Sequence, residues 1–179
     1  MNTNAPLTMG IKQVAFSPDG TLLAASAMDD SHEIAVFEWE KPVAAGKKVA
    51  PLASGKGPRA NILSLGFSAD NRSVVATCVK EVSFFSFAGS WKGSKGSGWG
   101  RGGAETTTSQ AVVGATLFTG LFTGEIASWS GAGIGKRTKA HAQRVNSLYA
   151  NARDGADQLI SGGQDGKVII WKAAGTSLT

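Results

Sequence analysis

The sequence predicts an all-β chain built from four repeated units of short strands, and three observations lead there. First, Val145 to Tyr149, Gln158 to Gly162 and Lys167 to Trp171 read as three short strands, apolar in alternation or β-branched and bounded by turn signals. Second, the aromatic residue that closes the third strand recurs along the chain: Trp171, Trp129, Phe85 and Phe37 lie 42, 44 and 48 residues apart, the interval of a repeated supersecondary unit. Third, no stretch carries apolar residues at a helical period between plausible caps.

From the N-terminus, residues 1–10 form an extension, and the repeats follow at about 11–53, 62–104, 106–140 and 144–179. In the first, IKQVAFSPDGTLLAASAMDDSHEIAVFEW, the turn Ser17-Pro18-Asp19-Gly20 joins two strands, because proline presets φ and glycine accepts a positive one. Its surplus length fits the Lys41 to Lys48 connection, and Lys47 to Ala53 is its candidate outer strand. The second, ILSLGFSADNRSVVATCVKEVSFFSF, has a Ser-Ala-Asp-Asn turn and is followed by WKGSKGSGWGRGG. That segment is rich in glycine and serine and reads as a long flexible loop at a sheet edge. In the third, AVVGATLFTGLFTGEIASW places Thr119, Thr123-Gly124 and Trp129 where the last repeat has Ser161, Asp165-Gly166 and Trp171, and Lys136 to Ala140 supplies an outer strand. In the last, Asp165-Gly166 suits a two-residue type I′ hairpin, in which both central residues need a positive φ. Only eight residues follow Trp171, too few for a convincing outer strand.

The last repeat resembles one blade of a WD-repeat propeller. In that family a His before the first strand, a Ser or Thr on the second, the turn Asp and the third-strand Trp form a hydrogen-bonded chain. The resemblance assigns those places to His141, Ser161, Asp165 and Trp171, with Ala140 where Gly is usual and Lys172 where Asp is usual. The resemblance implies an all-β, partial WD-repeat β-propeller of about four four-stranded antiparallel blades. More narrowly, MDDSHEIAVFEW, VVATCVKEVSFFSFAG with Lys80 at the turn Asp, the Gly-rich insertion, LFTGLFTGEIASW, KAHAQRVNSLYA and ISGGQDGKVIIW occur in an order similar to the echinoderm microtubule-associated protein-like family, over Ile11 to Trp171. Members of that family are microtubule-binding scaffolds with two fused propellers. The resemblance implies a non-catalytic scaffold, tubulin as partner, and a setting on cytoplasmic microtubules, those of a cilium or flagellum included. Its propellers close at about seven or more blades, so four blades imply a section that needs further blades or self-association.

Composition agrees with a β-rich, turn-rich cytosolic chain rather than a disulfide-stapled one: 24 Gly, 8 Phe and 5 Trp against one Cys. Cys78 lies in the apolar run Val74 to Val79 and reads as a small buried hydrophobe. MNTNAPLTMG has neither a basic leader nor an export-length apolar stretch, and no later window approaches a membrane span, so cytoplasm is the expected compartment and no membrane partner is expected. A formal charge of +5 favours an acidic partner.

His141 and Asp165 could do acid–base work, but their repeat positions explain both as a buried structural pair, and no catalytic set, cofactor or metal is expected. His32 with Asp29, Asp30 and Glu33 offers oxygen and nitrogen donors, yet the cluster is local and a solvated loop accounts for it. Gly131 to Lys136 fails as a phosphate-binding loop, because Ser130 and Arg137 stand where the pattern needs Gly and a Ser or Thr. Two basic clusters remain as candidate partner contacts: Lys92, Lys95 and Arg101, and Lys136, Arg137, Lys139 and Arg144. Acidic tubulin tails are the leading partner, other proteins the general alternative. RNA is the rival, since Arg101-Gly102-Gly103 with Trp91 and Trp99 offers cationic and stacking groups.

Overall fold

The computed structural model describes Leu7 and residues 9–40, 49–151 and 157–179. They form four separate four-stranded antiparallel sheets, with no helix among the described residues. The first blade holds β1 (Ile11–Phe16), β2 (Leu23–Ala27), β3 (Ile34–Phe37) and β4 (Ala53–Gly55). The second holds β5 (Ile62–Phe67), β6 (Ser73–Cys78), β7 (Glu81–Ser86) and β8 (Lys92–Lys95), and the third β9 (Thr107–Val113), β10 (Thr116–Leu121), β11 (Glu125–Ser130) and β12 (Gly133–Lys139). The fourth holds β13 (Val145–Asn151), β14 (Gln158–Gly163), β15 (Val168–Ala174) and β16 (Ser177–Leu178). In every blade the strands pair in chain order. The inner strands β1, β5, β9 and β13 pack side by side in succession. A cavity of about 380 Å³ lies among them, and all four strands line it, Ala15, Leu65, Gln110 and Ala150 included.

Register explains why the second strands are apolar on both sides. Leu23, Val74, Leu117 and Leu159 pair with Phe37, Phe85, Trp129 and Trp171, so the aromatic position recurs in all four blades. Successive side chains point to opposite faces, and in the inner blades each face meets a neighbouring sheet. At the first joint Ala24, Ile34 and Val36 pack on Leu65, Phe67, Val74, Ala76, Cys78 and Phe85. At the second, Val75, Val82 and Phe84 pack on Leu117 and Trp129. At the third, Phe118 and Ile126 pack on Val145 and Leu159, with Trp171 at the margin. Phe67 and Phe118 are the largest fully buried side chains, each stabilising the stack by roughly 1.5–3 kcal/mol.

The first-to-second strand turns repeat at atomic detail. Ser17 Oγ donates to Asp19 Oδ1 and accepts from Leu22 N–H, while Gly20 N–H bonds the Ser17 carbonyl. Ser68, Asp70, Ser73 and Asn71 reproduce that set in the second blade, with Asn71 taking the left-handed φ of 58°. Asparagine tolerates that region through its short polar side chain.

Four local expectations are corrected. The Gly-rich segment is not a loose loop throughout, since Lys92–Lys95 is the outer strand of the second blade, paired with β7. Ring packing orders it: Trp91 stacks on Phe85 at 5.4 Å and 18°, and a Cβ on Gly96 would meet the Trp129 ring at 2.7 Å. The C-terminus does supply an outer strand, because Ala173 and Ala174 pair with Leu178 and Ser177 across a short hairpin. The outer strand of the first blade is Ala53–Gly55; of the Lys41 to Lys48 connection and the Lys47 to Ala53 candidate, residues 41–48 lie outside the described residues. Finally, Asp165-Gly166 is not a type I′ hairpin. Only Gly166 has a positive φ (77°), Gly166 N–H bonds the Gly163 carbonyl and Gly163 N–H the Lys167 carbonyl, which is a three-residue loop closed by a glycine bulge.

Cys78 is fully buried in the first joint, and burial, with a smaller push from the Glu81 charge, raises its thiol to about 12. Since the thiolate is the reactive form, a thiol-reactive dye at pH 8 is expected to label Cys78 only once denaturant opens the fold. Rapid labelling of the native chain would place the thiol at an accessible surface.

Candidate functional site

The fourth blade contains an unbroken polar chain. Trp171 Nε1 donates to Ser161 Oγ at 2.9 Å, Ser161 Oγ lies 2.8 Å from His141 Nε2, and His141 Nδ1 lies 2.9 Å from Asp165 Oδ1. One neutral tautomer satisfies every atom: indole to hydroxyl, hydroxyl to Nε2, and Nδ1–H to carboxylate. Burial by itself would push the Asp165 carboxyl up, but hydrogen bonds from Ala142 N–H, His141 and Lys167 N–H outweigh it and hold the group below its usual range. Serine, histidine and aspartate in this order could in principle activate a nucleophile. Here Ser161 is fully buried, His141 is 2 % exposed, and the serine oxygen is already engaged by Trp171. The arrangement therefore fastens the second strand, the third strand and the preceding loop together.

Gly163 explains the Gly-Gly that ends β14, because a Cβ there would stand 2.2 Å from His141 Nδ1. The third blade keeps half of the chain, Trp129 Nε1 donating to Thr119 Oγ1 at 2.9 Å. In the first two blades the same register positions hold Ala25 with Phe37 and Ala76 with Phe85. Neither hydroxyl nor indole stands at these two positions, so neither leaves a donor stranded there.

The seven basic residues do not form one patch. Lys92 and Lys95 lie on β8, Arg101 in the connection that follows, Lys136, Arg137 and Lys139 on β12, and Arg144 just before β13. Arg137 is held between Glu105, at 2.6 Å, and Glu125, so its charge is consumed within the chain. Lys95 pairs with Glu81 at 2.6 Å. Lys136 Nζ reaches Ser177 Oγ at 3.4 Å, and Lys139 Nζ donates to the Thr123 carbonyl at 2.7 Å. Arg144 bonds Asn146 and lies 5.9 Å over the Phe122 ring. The tryptophans offered for base stacking are occupied: Trp91 lies on Phe85 and donates to the Lys56 carbonyl, while Trp99 packs edge-on against Trp129 and donates to the Gly96 carbonyl. His32 Nδ1 lies 2.8 Å from the Pro58 carbonyl, and Asp29 caps its own turn through Ser31 and Glu33 N–H. Among the described residues no group of three metal-ligating side chains converges.

A surface missed in the sequence lies where the second strands turn into the third. The amides of Met28, Val79, Phe122 and Gln164 bond the carbonyls of Gly10, Asn61, Thr106 and Arg144, each just ahead of an inner strand, so the four residues hold one equivalent place. Met28, Val79 and Phe122 are 63, 45 and 56 % exposed. Lys80, Lys139 and Arg144 stand exposed beside them. Aligning the repeats on Leu23, Val74, Leu117 and Leu159 would have found this row, each member lying five residues further on.

The WD domain, G-beta repeat family model matches residues 4–32 and 135–172, the second segment carrying the complete polar chain. Among solved structures, the chain is similar to the computationally designed Ika4 protein, at 20 % identity and a TM-score of 0.64 over 93 % of both chains. It is similar also to the β-propeller domain of Myceliophteria thermophila Cps50 (Swd1), at 10 % identity and a TM-score of 0.70, over 94 % of this chain and 57 % of that one. It thus spans little more than half of the second. Repeat matches at both ends and the shared arrangement of sheets identify the fold as four blades of a WD40-type β-propeller.

Proposed function

We propose that these blades are a protein-interaction module that binds an acidic partner through the end of the sheets bearing Met28, Val79 and Phe122. The observation that carries this reading is that row of exposed apolar side chains at one repeated position, flanked by Lys80, Lys139 and Arg144. Methionine, aromatic and arginine side chains are the types enriched at protein interfaces, and contiguous exposed apolar patches with a polar rim mark interaction sites. The chain's charge of +5 favours an acidic partner. Tubulin, with its acidic tails, is the partner implied by the likeness of the blade series to the microtubule-associated family. The ring contacts that Trp91 makes with Phe85 and Trp99 with Trp129 favour protein over RNA.

Co-sedimentation with polymerised tubulin tests this. Binding is expected at low salt and should weaken steeply as ionic strength shortens the screening length to about 8 Å. The triple variant Phe122→Ser, Lys139→Gln, Arg144→Gln should bind about tenfold or more weakly, a loss of about 1.4 kcal/mol, with its fold intact. Absence of binding at low salt by folded chain, or binding unchanged in the variant and with tail-stripped tubulin, would overturn the tubulin reading.

A further inference from the structure

Within this chain one sheet packs its leading face on the trailing face of the next three times, and the register fixes which positions do so. On the leading side, Ile34 and Val36, then Val82 and Phe84, then Ile126 and Ser128 occupy one pair of positions, and all six are buried. In the fourth blade the same pair is Val168 and Ile170, which are 74 and 63 % exposed. Tyr149 beside them, opposite Ile160, is 67 % exposed. On the trailing side, Leu65 and Phe67 are buried at the first joint, whereas Val14 and Phe16, their counterparts in the first blade, are 61 and 57 % exposed. The first and last of these four blades thus each leave an apolar face exposed, and the two faces are complementary.

We propose that a second copy of this chain covers both faces, so that two copies close one ring of eight blades. Each copy carries both halves of the joint that it already makes three times internally. Phe16 and Val14 stand where Phe67 and Leu65 stand, and Val168 and Ile170 where Ile34 and Val36 stand. A two-fold arrangement forms that head-to-tail joint twice and leaves no end uncovered. Eight blades fall within the usual range of about four to eight. Both faces are apolar at the named positions and neither carries a charge there, so the copies' like net charges of +5 oppose association only at long range.

Sedimentation velocity of the full 179-residue chain tests the proposal, with circular dichroism confirming that each variant is folded. The wild type is expected at twice the 18.4 kDa chain mass. Phe16→Lys alone, and Val168→Lys with Ile170→Lys, should each raise the dimer dissociation constant at least tenfold, because every homodimer then contains two damaged joints. An equimolar mixture of the two variants should recover a species of doubled mass, since one of its joints keeps both native faces. Added salt should tighten this dimer, opposite to its effect on binding an acidic partner, which separates the two readings. A monodisperse wild-type monomer would overturn the proposal and leave the faces to another polypeptide. Open-ended polymers that lengthen with concentration, or variants that stay dimeric alone, would overturn it as well.

Discussion

Replacing Ser161 with alanine is expected to destabilise the fold by about 1–3 kcal/mol for each buried group left without a partner, and it leaves two, the Trp171 indole N–H and His141 Nε2. Chemical denaturation should show the loss as a lowered midpoint with an unchanged slope. Adding Trp171→Phe should return part of it, because that change removes one of the two stranded groups. The first and second blades are folded with this pair, Ala25 with Phe37 and Ala76 with Phe85. The double-mutant cycle should therefore be non-additive, as groups within one hydrogen-bonded network are. Additive losses would mean that the hydroxyl and the indole act independently. The same chain of bonds gives a pH dependence with a definite sign. Asp165 is held below its ordinary 3.8 in the fold, so its stabilisation is complete above that value and disappears as pH falls through the lowered one. Melting measured from neutral to acid pH should thus decline below about 4, and less in Asp165→Asn than in the wild type.

A comparable loss is expected from Gly163→Ala, although the substitution adds only a methyl group. The new Cβ would lie 2.2 Å from His141 Nδ1 and 2.5 Å from Asp165 Oδ1, far inside the contact distance of a carbon with nitrogen or oxygen. The imidazole must move, and with it the bonds to Ser161 and Asp165. Forced repacking of this kind costs about 1–3 kcal/mol, and the broken polar chain adds to it. Gly166→Ala is the informative control, since nothing lies within 4 Å of a Cβ there and only its φ of 77° opposes the change, a penalty of about 1–2 kcal/mol. If the alanine at 163 proves the milder of the two, close packing against His141 is not what requires that glycine.

The blades were legible because their grammar is local. Strand alternation and Ser-Pro-Asp-Gly need only a short window, the recurrence of Phe37, Phe85, Trp129 and Trp171 marks four units, and an all-β fold of four repeated sheets follows from them. The strand Lys92–Lys95 was hidden because its order comes from ring packing, Trp91 on Phe85 within the second blade and Trp129 of the third blade against Gly96, and not from its own composition. The strand Ser177–Leu178 was hidden because β15 extends to Ala174, beyond the tryptophan taken as its end. Charge spacing placed Arg137 among the candidate contacts, but which carboxylates stand opposite is a matter of tertiary pairing, and Glu105 and Glu125 claim it. The apolar row at Met28, Val79 and Phe122 escaped notice because each member looks like the end of a buried strand until register shows that the strand has stopped one residue earlier.

Hydrogen–deuterium exchange of the chain, alone and mixed with microtubules as the proposed partner, locates the binding surface. Protection is expected at Met28 to His32, Val79 to Lys80, Phe122 to Gly124 and Lys139 to Arg144, which share one end of the blades, with no change along Lys92 to Lys95. Protection confined to the outer strand Lys92 to Lys95, or spread with no preference for that end, would contradict it.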